Sequence, residues 1–440
     1  MILSQIIYFL IGLLVLVWPM PNIIAVRNID IGLLFIVSFI NFFMYKQLFF
    51  KSQKKEKIIF ISIFLFIMWA VFISFLSSFR NECFYELKAF LNLFLLGGSA
   101  YFIINTSNID YKKLFLIIFS VLMIFPIYHS LYSLHYYLLH HHFPFRSYGI
   151  TKGLDELNFM MPYLLTFFSV EIIFRFLNKK TFLSISNSFF SLLLFIVLFS
   201  LIIQAKRNGI VSIAFMILSI IFFIKLVAHS INKKTIILSM IGLIVGSVLV
   251  FLNIKDDSRW RTLQQTIPIA LDLQHNQNWL FPHSMSLPKL SNGQIVATSN
   301  YQRIAWIKAG VIEIYRHPFG VGYSRNAFRH ALLLDYPKVG KHLAHSHSGM
   351  IDLGIGTGMI GIILWSIFIF SLVYFGFKQF IIDKSYFGLF VFYLSTSFYF
   401  RMFLDSINRD HMLQQFIFFV FLGFFAIYKE QNEKNNLPSS

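Results

Sequence analysis

The amino-acid sequence predicts an all-α protein that crosses a membrane many times. The chain has 440 residues, of which 57% are hydrophobic, and a mean hydropathy of +0.69. Only 13% of residues are charged, which is about half the share of an ordinary soluble domain. Apolar segments recur from end to end, and each is long enough to cross about 30 Å of hydrocarbon. We therefore expect a polytopic helical membrane protein with about 12 transmembrane helices.

The predicted spans leave one long polar segment between the ninth and the tenth. The fourth span is weakened by Lys88, and the limits of the fifth and sixth are blurred by His and Pro. The expected organisation is helices 1–9 over 1–253, a large loop over 254–347, helices 10–12 over 348–428 and a tail over 429–440. The spans lie near 3–23, 30–50, 58–78, 84–105, 114–137, 158–177, 183–204, 209–228, 235–253, 348–376, 384–402 and 411–428.

The distribution of Lys and Arg predicts the orientation. If the N-terminus is cytoplasmic, the inside loops carry more cationic residues than the short outside loops, as membrane topology favours. Both termini are then cytoplasmic, and the long loop lies outside. The outside set is rich in Arg, which this rule does not explain. Nucleic acid is an unsuitable partner for that face, whereas the phosphate of a lipid suits the planar donors of arginine.

Within the long loop, the pattern predicts two amphipathic helices. Ile304, Ile307, Val311 and Ile314 recur at three- and four-residue spacing from Tyr301 onwards, as on one face of a helix. That helix should end at 317–318, because a proline disfavours helix in the residue before it. A second helix is expected near 324–334. Such a pair would lie along the membrane and cap a cavity.

A polar run stands where this loop meets the tenth span. The run is His345-Ser346-His347-Ser348-Gly349, and an apolar segment follows at once. If His347 starts the tenth helix, the helix dipole disfavours the imidazolium and keeps the ring neutral, as a general base requires. The alternative is that His347 and Ser348 only cap the helix.

The same region resembles a known family. Arg303-x-x-Trp306, Pro318-Phe319-Gly320-Val321-Gly322 and His347-Ser348-x-x-Ile351-Asp352, with Gly358 and Gly361, resemble the signature region of the O-antigen ligase and polymerase superfamily. The topology, with one large outer loop before the tenth span, is similar to that of the ligases. One departure is Ser348, where the family often has Asn.

The resemblance implies a GT-C-like glycosyltransferase of the bacterial inner membrane that needs no metal and no cofactor. Its donor would be a glycan on undecaprenyl diphosphate, and its acceptor a hydroxyl of lipid A-core, with the active site facing the periplasm. Two relatives within the superfamily are alternatives: an O-antigen polymerase, which joins carrier-linked repeat units, and a protein O-oligosaccharyltransferase. A transporter fits less well, because the spans are nearly free of central charges.

The site residues follow from this chemistry. We expect His347 to act as the general base and Arg303 to stabilise the departing diphosphate, while an Arg in the position of Arg207 contacts the diphosphate in the family. Asp256-Asp257 is interpreted as a solvated charge cluster, so cationic side chains take the place of a metal. Further expected substrate contacts are Lys206, Arg259, Arg261, Arg325, Arg329, Ser348 and Asp352. Asp352 is expected to form an ion pair with an outer arginine, and the histidines at 135, 140, 141, 142, 342 and 345 are expected to be structural.

Overall fold

The structure is a computed structural model that describes residues 2–45, 57–144, 147, 149–151, 153–177, 181–204, 207–227 and 261–435. Within these ranges the regular elements are helices, and β geometry is limited to single bridge residues, such as Lys289 and Ile295, which pair with each other. The helices are α1 (Ile2–Val17), α2 (Ile24–Met44), α3 (Lys57–Leu76), α4 (Arg80–Ile104), α5 (Tyr111–His140), α6 (Leu154–Phe176), α7 (Asn187–Ile203), α8 (Arg207–Val227), α9 (Leu263–Leu271), α10 (Thr298–Arg316), α11 (Ala327–Asp335), α12 (Gly349–Asp383), α13 (Tyr386–Met402) and α14 (Asp410–Asn435).

The helices agree with the predicted spans wherever the structure describes them. The first eight spans correspond to α1–α8 and the last three to α12–α14, whereas the ninth, 235–253, lies outside the described residues. Seven of the described helices are long and apolar enough to cross a membrane, and three more are apolar but shorter. A polytopic helical membrane protein is therefore confirmed, and the total of about 12 spans stays a prediction.

The last helix runs past the predicted end of the twelfth span. The last helix does not end near residue 428 but continues to Asn435. Lys429, expected in a cytoplasmic tail, is buried, and its Nζ donates to the carbonyl oxygens of Thr106 (3.0 Å) and Ile109 (2.6 Å). These carbonyls follow the end of α4. The lysine thereby links α14 to the turn after α4, and the helix continues beyond the apolar segment.

Polar side chains start several of the helices. The Asp110 carboxylate accepts from the backbone N–H groups of Lys112 and Lys113 at the start of α5. Ser186 and Ser385 do the same at α7 and α13. Such caps satisfy donors that have no partner within the helix.

The helix α12 is broken in its first half. Gly358 has φ 68° and ψ −171°, which leaves the helical region and interrupts the hydrogen-bond ladder. The indole Nε1 of Trp69, on α3, donates to the free carbonyl of Thr357 at 2.6 Å. The segment before the break therefore acts as a short separate helix, whose N-terminus begins directly after His347-Ser348.

The long loop has an apolar core of its own. Trp279, Tyr301, Trp306 and Phe328 are buried in it. This core includes Ile355 of α12, so the loop packs directly on the start of that helix. The bundle core, by contrast, is built mainly from Phe, Leu and Ile of the membrane helices.

The first of the two predicted loop helices is confirmed, since α10 ends at Arg316 and His317 is its C-cap, directly before Pro318. Its predicted apolar stripe is not its main buried face, however, because Val311 is 53% exposed. The buried face carries small and aromatic residues, including Ala305, Trp306 and Ala309. Small residues allow α10 to approach α12 closely: a Cβ on Gly310 would overlap the side chain of Ile351.

The second loop helix is shorter than predicted. It begins at Ala327 and ends at Asp335, so Arg325 precedes it and does not share a helical face with Arg329. Ser324 explains the difference, since its hydroxyl accepts from the N–H of Asn326 at 3.1 Å. This local contact holds the backbone in a turn before the helix starts.

Candidate functional site

The candidate site is built around a stack of two rings. The indole of Trp306, on α10, lies parallel to the imidazole of His347, with ring centroids 5.2 Å apart and planes 9° apart. Arg303 lies one helical turn before Trp306, and residues at this spacing share a helix face. The Arg303-x-x-Trp306 motif thus places a cation and an aromatic platform on the side of α10 that faces His347.

The backbone of His347 is in an uncommon conformation. Its φ is 61°, in the left-handed region, which costs an L-residue about 1–2 kcal/mol. Its N–H donates to Nδ1 of His345 at 3.3 Å, and the two rings meet edge to face with centroids 4.4 Å apart. A residue held in a strained conformation by its surroundings is a mark of a functional position.

Asp352 holds the residues on both sides of this pair. Its Oδ1 accepts from the Ser346 N–H at 2.7 Å, and its Oδ2 accepts from the Ser406 hydroxyl at 2.5 Å. The same hydroxyl lies 3.4 Å from Nδ1 of His345. The expected ion pair of Asp352 with an outer arginine is therefore replaced, among the described residues, by hydrogen bonds to serines. These are geometrically possible because the turn after α13 packs on the start of α12, where the Gly349 N–H donates to the Asp405 carbonyl at 3.0 Å.

His345 belongs to this cluster, although we expected it to be a bystander. Burial lowers its pKa to about 3, and the charges of Arg409, His347 and Arg303 act in the same direction. The ring is therefore neutral at neutral pH. Since Nδ1 accepts from the His347 N–H, the proton of the neutral ring resides on Nε2.

Ser348 is the N-cap of α12. Its hydroxyl oxygen accepts from the N–H of Ile351 at 3.5 Å, and its hydroxyl donates to the carbonyl of Met402 at 3.2 Å. The residue is only 2% exposed. Ser348 therefore caps the helix, as the capping alternative predicts, and its expected contact with substrate stays a prediction. His347 precedes the cap and is not part of the helix.

The segment Pro318-Phe319-Gly320-Val321-Gly322, which we call the glycine motif, fixes the loop to the break in α12. The N–H groups of Val321 and Gly322 donate to the carbonyls of Ile355 (2.9 Å) and Gly356 (3.0 Å), and the Met359 N–H donates to the Pro318 carbonyl (2.9 Å). A Cβ on Gly320, which has φ 93°, would lie 2.5 Å from the Gly356 oxygen. Only glycine permits this backbone-to-backbone approach, so the motif has a structural role in positioning the loop.

Several arginines of the outer region are already engaged by carboxylates. Arg325 donates from Nε to Glu86 at 2.5 Å and from a terminal nitrogen to Asp410 at 2.7 Å. Arg316 is paired with Glu313 and Asp335. These pairs hold the loop together, and they leave few donors of Arg325 for the substrate contact that we expected.

The other predicted substrate contacts lie apart from the histidine pair or outside the described side chains. Arg261 is exposed near the start of α9, and Arg329 lies on α11, where its charge acts on Glu82 and His330. Arg207 begins α8, but its side chain is not described; Lys206 and Arg259 lie outside the described residues, as does Asp256-Asp257.

The histidines of the 135–142 segment make only local contacts among those that the structure describes. The ring of Tyr136 contacts His140 and His142, and His142 reaches the carbonyl of Phe143. In the described part of the chain, no group of three or more His, Cys, Asp or Glu side chains is arranged to hold a metal ion. His342 contacts the ring of His283.

A small polar cavity and a large apolar groove meet beside the cluster. The cavity, of about 30 Å³, is lined by Asp352, Arg409 and Arg325. The groove, of about 760 Å³, lies between α3, α4 and α14 and is lined mainly by Phe, Ile and Leu. Leu93 and Leu413 line both, so an apolar chain in the groove would end next to the polar cavity.

Two residues near His345 and Asp352 are not part of any motif in the sequence. Ser406 and Arg409 lie about sixty residues after His347 and carry no motif. The signal that could have found them is a concentration of polar residues, Asp405-Ser406-x-Asn408-Arg409-Asp410, at the outer end between two apolar spans. This turn reaches the start of α12 only because of the way the helices pack, and the sequence alone does not predict that packing.

Comparison with known proteins agrees with this site. Residues 192–366 match the family model described as O-antigen ligase, and no curated protein matches the chain. The matched region includes α10, the glycine motif and His347 with the first half of α12. The family implies a glycosyltransferase-like activity on a lipid-linked glycan with a lipid acceptor. This match over residues 192–366 supports the O-antigen ligase superfamily that the motifs predict.

Proposed function

We propose that the protein is an O-antigen ligase of GT-C type in the bacterial inner membrane. It transfers a glycan from undecaprenyl diphosphate to a hydroxyl of lipid A-core, without a metal ion. The observation that carries the proposal is the stack of Trp306 on His347 with Arg303 one turn away. It brings a base and a cation together within the region that matches the family.

In this mechanism His347 takes the proton of the acceptor hydroxyl. The acceptor oxygen attacks the anomeric carbon and forms the new glycosidic bond, while the bond from that carbon to the phosphate oxygen breaks. The electron pair of that bond leaves with the diphosphate. A general base of this kind contributes typically 10²- to 10⁴-fold to the rate.

Arginine side chains stabilise the departing diphosphate. Among the described residues, the guanidinium of Arg303 makes no hydrogen bond or ion pair, in contrast to Arg316 on the same helix. Its donors are therefore available for phosphate oxygens, which guanidinium binds in a bidentate manner. Arg207, the second predicted cation, lies in the matched region as well.

The apolar groove supports a lipid-linked donor. A polyprenyl chain needs an apolar path within the membrane, and the groove between α3, α4 and α14 ends beside the cavity lined by Arg409 and Asp352. The polyprenyl chain of the donor would then lie in the apolar groove, and its diphosphate would lie at the polar cavity.

Deletion of the gene tests the reaction. Loss of polymer from lipid A-core, with long chains retained on the carrier, is the expected result. If the product instead loses chain length and keeps a single repeat unit on lipid A-core, the protein is a polymerase. Normal lipopolysaccharide with unglycosylated protein acceptors would identify the protein O-oligosaccharyltransferase.

The proposed residues are tested with purified protein in the presence of EDTA. His347→Ala and Arg303→Ala should abolish transfer, whereas Arg316→Gln, which removes a charge from the same helix, should retain it. Full activity of either site variant, or a strict requirement for a metal ion, would refute the proposed site.

A further inference from the structure

Arg409 lies on the turn between α13 and α14, outside the Arg303-x-x-Trp306 and His347 motifs. This turn is fixed to the start of α12: Ser406 contacts both Asp352 and His345, and the Gly349 N–H donates to Asp405. Arg409 itself lines the small cavity together with Asp352. It lies beyond the matched residues 192–366, so the family comparison assigns it no role.

The charge of Arg409 reaches the centre of the site. After burial, Arg409 is the largest influence on His345, ahead of Arg303, and its charge also acts on the Asp352 carboxylate. Arg303 on α10 and Arg409 on this turn therefore both act on the same imidazole. Positive charge from two separate elements of the fold therefore acts at this one position.

Arg409 differs from its arginine neighbours in its contacts. Arg325 is held between Glu86 and Asp410, and Arg401 is held by Asp405 and the oxygens of Asn158. Within the described residues, the guanidinium of Arg409 makes no hydrogen bond or ion pair of this kind. An arginine that lines a cavity with Asp352 and Asp410 but pairs with neither keeps its planar group of donors for a ligand.

The surroundings indicate which ligand this is. The cavity lined by Arg409 shares Leu93 and Leu413 with the apolar groove, so the anion arrives attached to an apolar chain. We infer that Arg409 and Arg303 together bind the diphosphate of the lipid-linked donor, with Arg409 as a second phosphate-binding residue. This inference rests on the proposed function and names a residue that the function does not require.

Binding measured without transfer tests the inference. The probes are undecaprenyl diphosphate, undecaprenol, which has the same chain without phosphate, and lipid A, which carries phosphate on the acceptor side. Affinity of the full-length protein is measured in detergent by titration. Arg409→Ala should weaken binding of undecaprenyl diphosphate roughly ten- to a hundredfold. Binding of undecaprenol and lipid A should be unchanged.

Two further variants make the result specific. Arg409→Lys keeps the charge but not the fork, and should recover part of the lost affinity. Arg316→Gln removes a guanidinium that is already paired with Glu313 and Asp335. This variant should bind undecaprenyl diphosphate as the wild type does. If Arg409→Ala does not fold, Arg409→Lys and Arg409→Gln carry the test.

Unchanged affinity of the Arg409 variants for undecaprenyl diphosphate would overturn the inference and leave the proposed function intact. A loss confined to lipid A would also overturn it, since the phosphate would then belong to the acceptor. If the wild type itself does not distinguish undecaprenyl diphosphate from undecaprenol, both the inference and the proposed function fail.

Discussion

The indole of Trp306 and the imidazole of His347 lie 5.2 Å apart in nearly parallel planes, although 41 positions separate them in the chain. The contact joins the long loop to the start of α12. Trp306 is itself fixed, since its Nε1 donates to the carbonyl of Trp279 at 3.1 Å. A rigid platform thus sets the plane of the proposed base.

Substitution of Trp306 should slow transfer, and the loss should be smaller for a residue that keeps an aromatic ring than for one that has none. An aromatic pair contributes about 0.5–1.5 kcal/mol, so Trp306→Phe should lower kcat by about two- to tenfold. Trp306→Ala removes the platform, and a misplaced base can cost on the order of a hundredfold. Equal activity of the two variants in a transfer assay, with matched thermal midpoints, would show that the stack does not orient His347.

The strained backbone of His347 predicts a conflict between activity and stability. Glycine adopts φ near 61° without the penalty that other residues incur there. His347→Gly should therefore be more stable than His347→Ala by about 1 kcal/mol, although both are inactive. Comparison of the two variants isolates the backbone, because each lacks the imidazole. Unfolding in detergent measures the difference, and a more stable alanine variant would contradict the strain.

The sequence predicted the helices well because the membrane requires long apolar segments. Each described span had such a segment, and the ends of α10 were marked by Pro318. The end of α14 was missed, since what extends it is a buried contact of Lys429 with carbonyls after α4. A lysine after an apolar segment predicts the solvated end of a helix, and its buried partners become visible only in the packed structure.

The candidate site was predicted in part. Its motif half, Arg303 with Trp306 and His347, is brought together by a helix period and a ring stack. The sequence did not predict Ser406 and Arg409 as part of the site, because their approach to His345 depends on how α13 packs against α12. Arg325 was expected only as a further substrate contact, and in the structure its carboxylate partners set it apart from Arg303.

The neutral His345 predicts how stability depends on pH. Its pKa in the folded protein is lowered to about 3, whereas the unfolded value is near 6.5. The unfolded state therefore binds a proton that the folded state does not, between these two values. The contribution to stability is complete above about pH 6.5 and is lost as the pH falls towards 3, by at most about 1.4 kcal/mol per pH unit.

Replacement of His345 by glutamine tests this assignment. The Gln oxygen can accept from the His347 N–H as Nδ1 does, but the side chain does not titrate. Between pH 7 and pH 5, the thermal midpoint of the wild type should fall more than that of His345→Gln. Parallel curves for the two proteins would show that His345 does not control the acid sensitivity.

The break in α12 predicts a severe effect of a single methyl group. Gly358 has φ 68° and ψ −171°, and a Cβ there would overlap the carbonyl of Pro318 and the backbone of Phe319. Gly358→Ala should therefore separate the glycine motif from α12 and destabilise the protein by about 3 kcal/mol or more. Gly32→Ala is the matched control, because a Cβ on Gly32 of α2 meets nothing within 4 Å, and alanine favours helix by up to about 1 kcal/mol. Thermal midpoints and transfer rates of the two variants measure the contrast. If Gly358→Ala matched Gly32→Ala in both, the close approach of Pro318 to the break would not hold His347 and Trp306 in register.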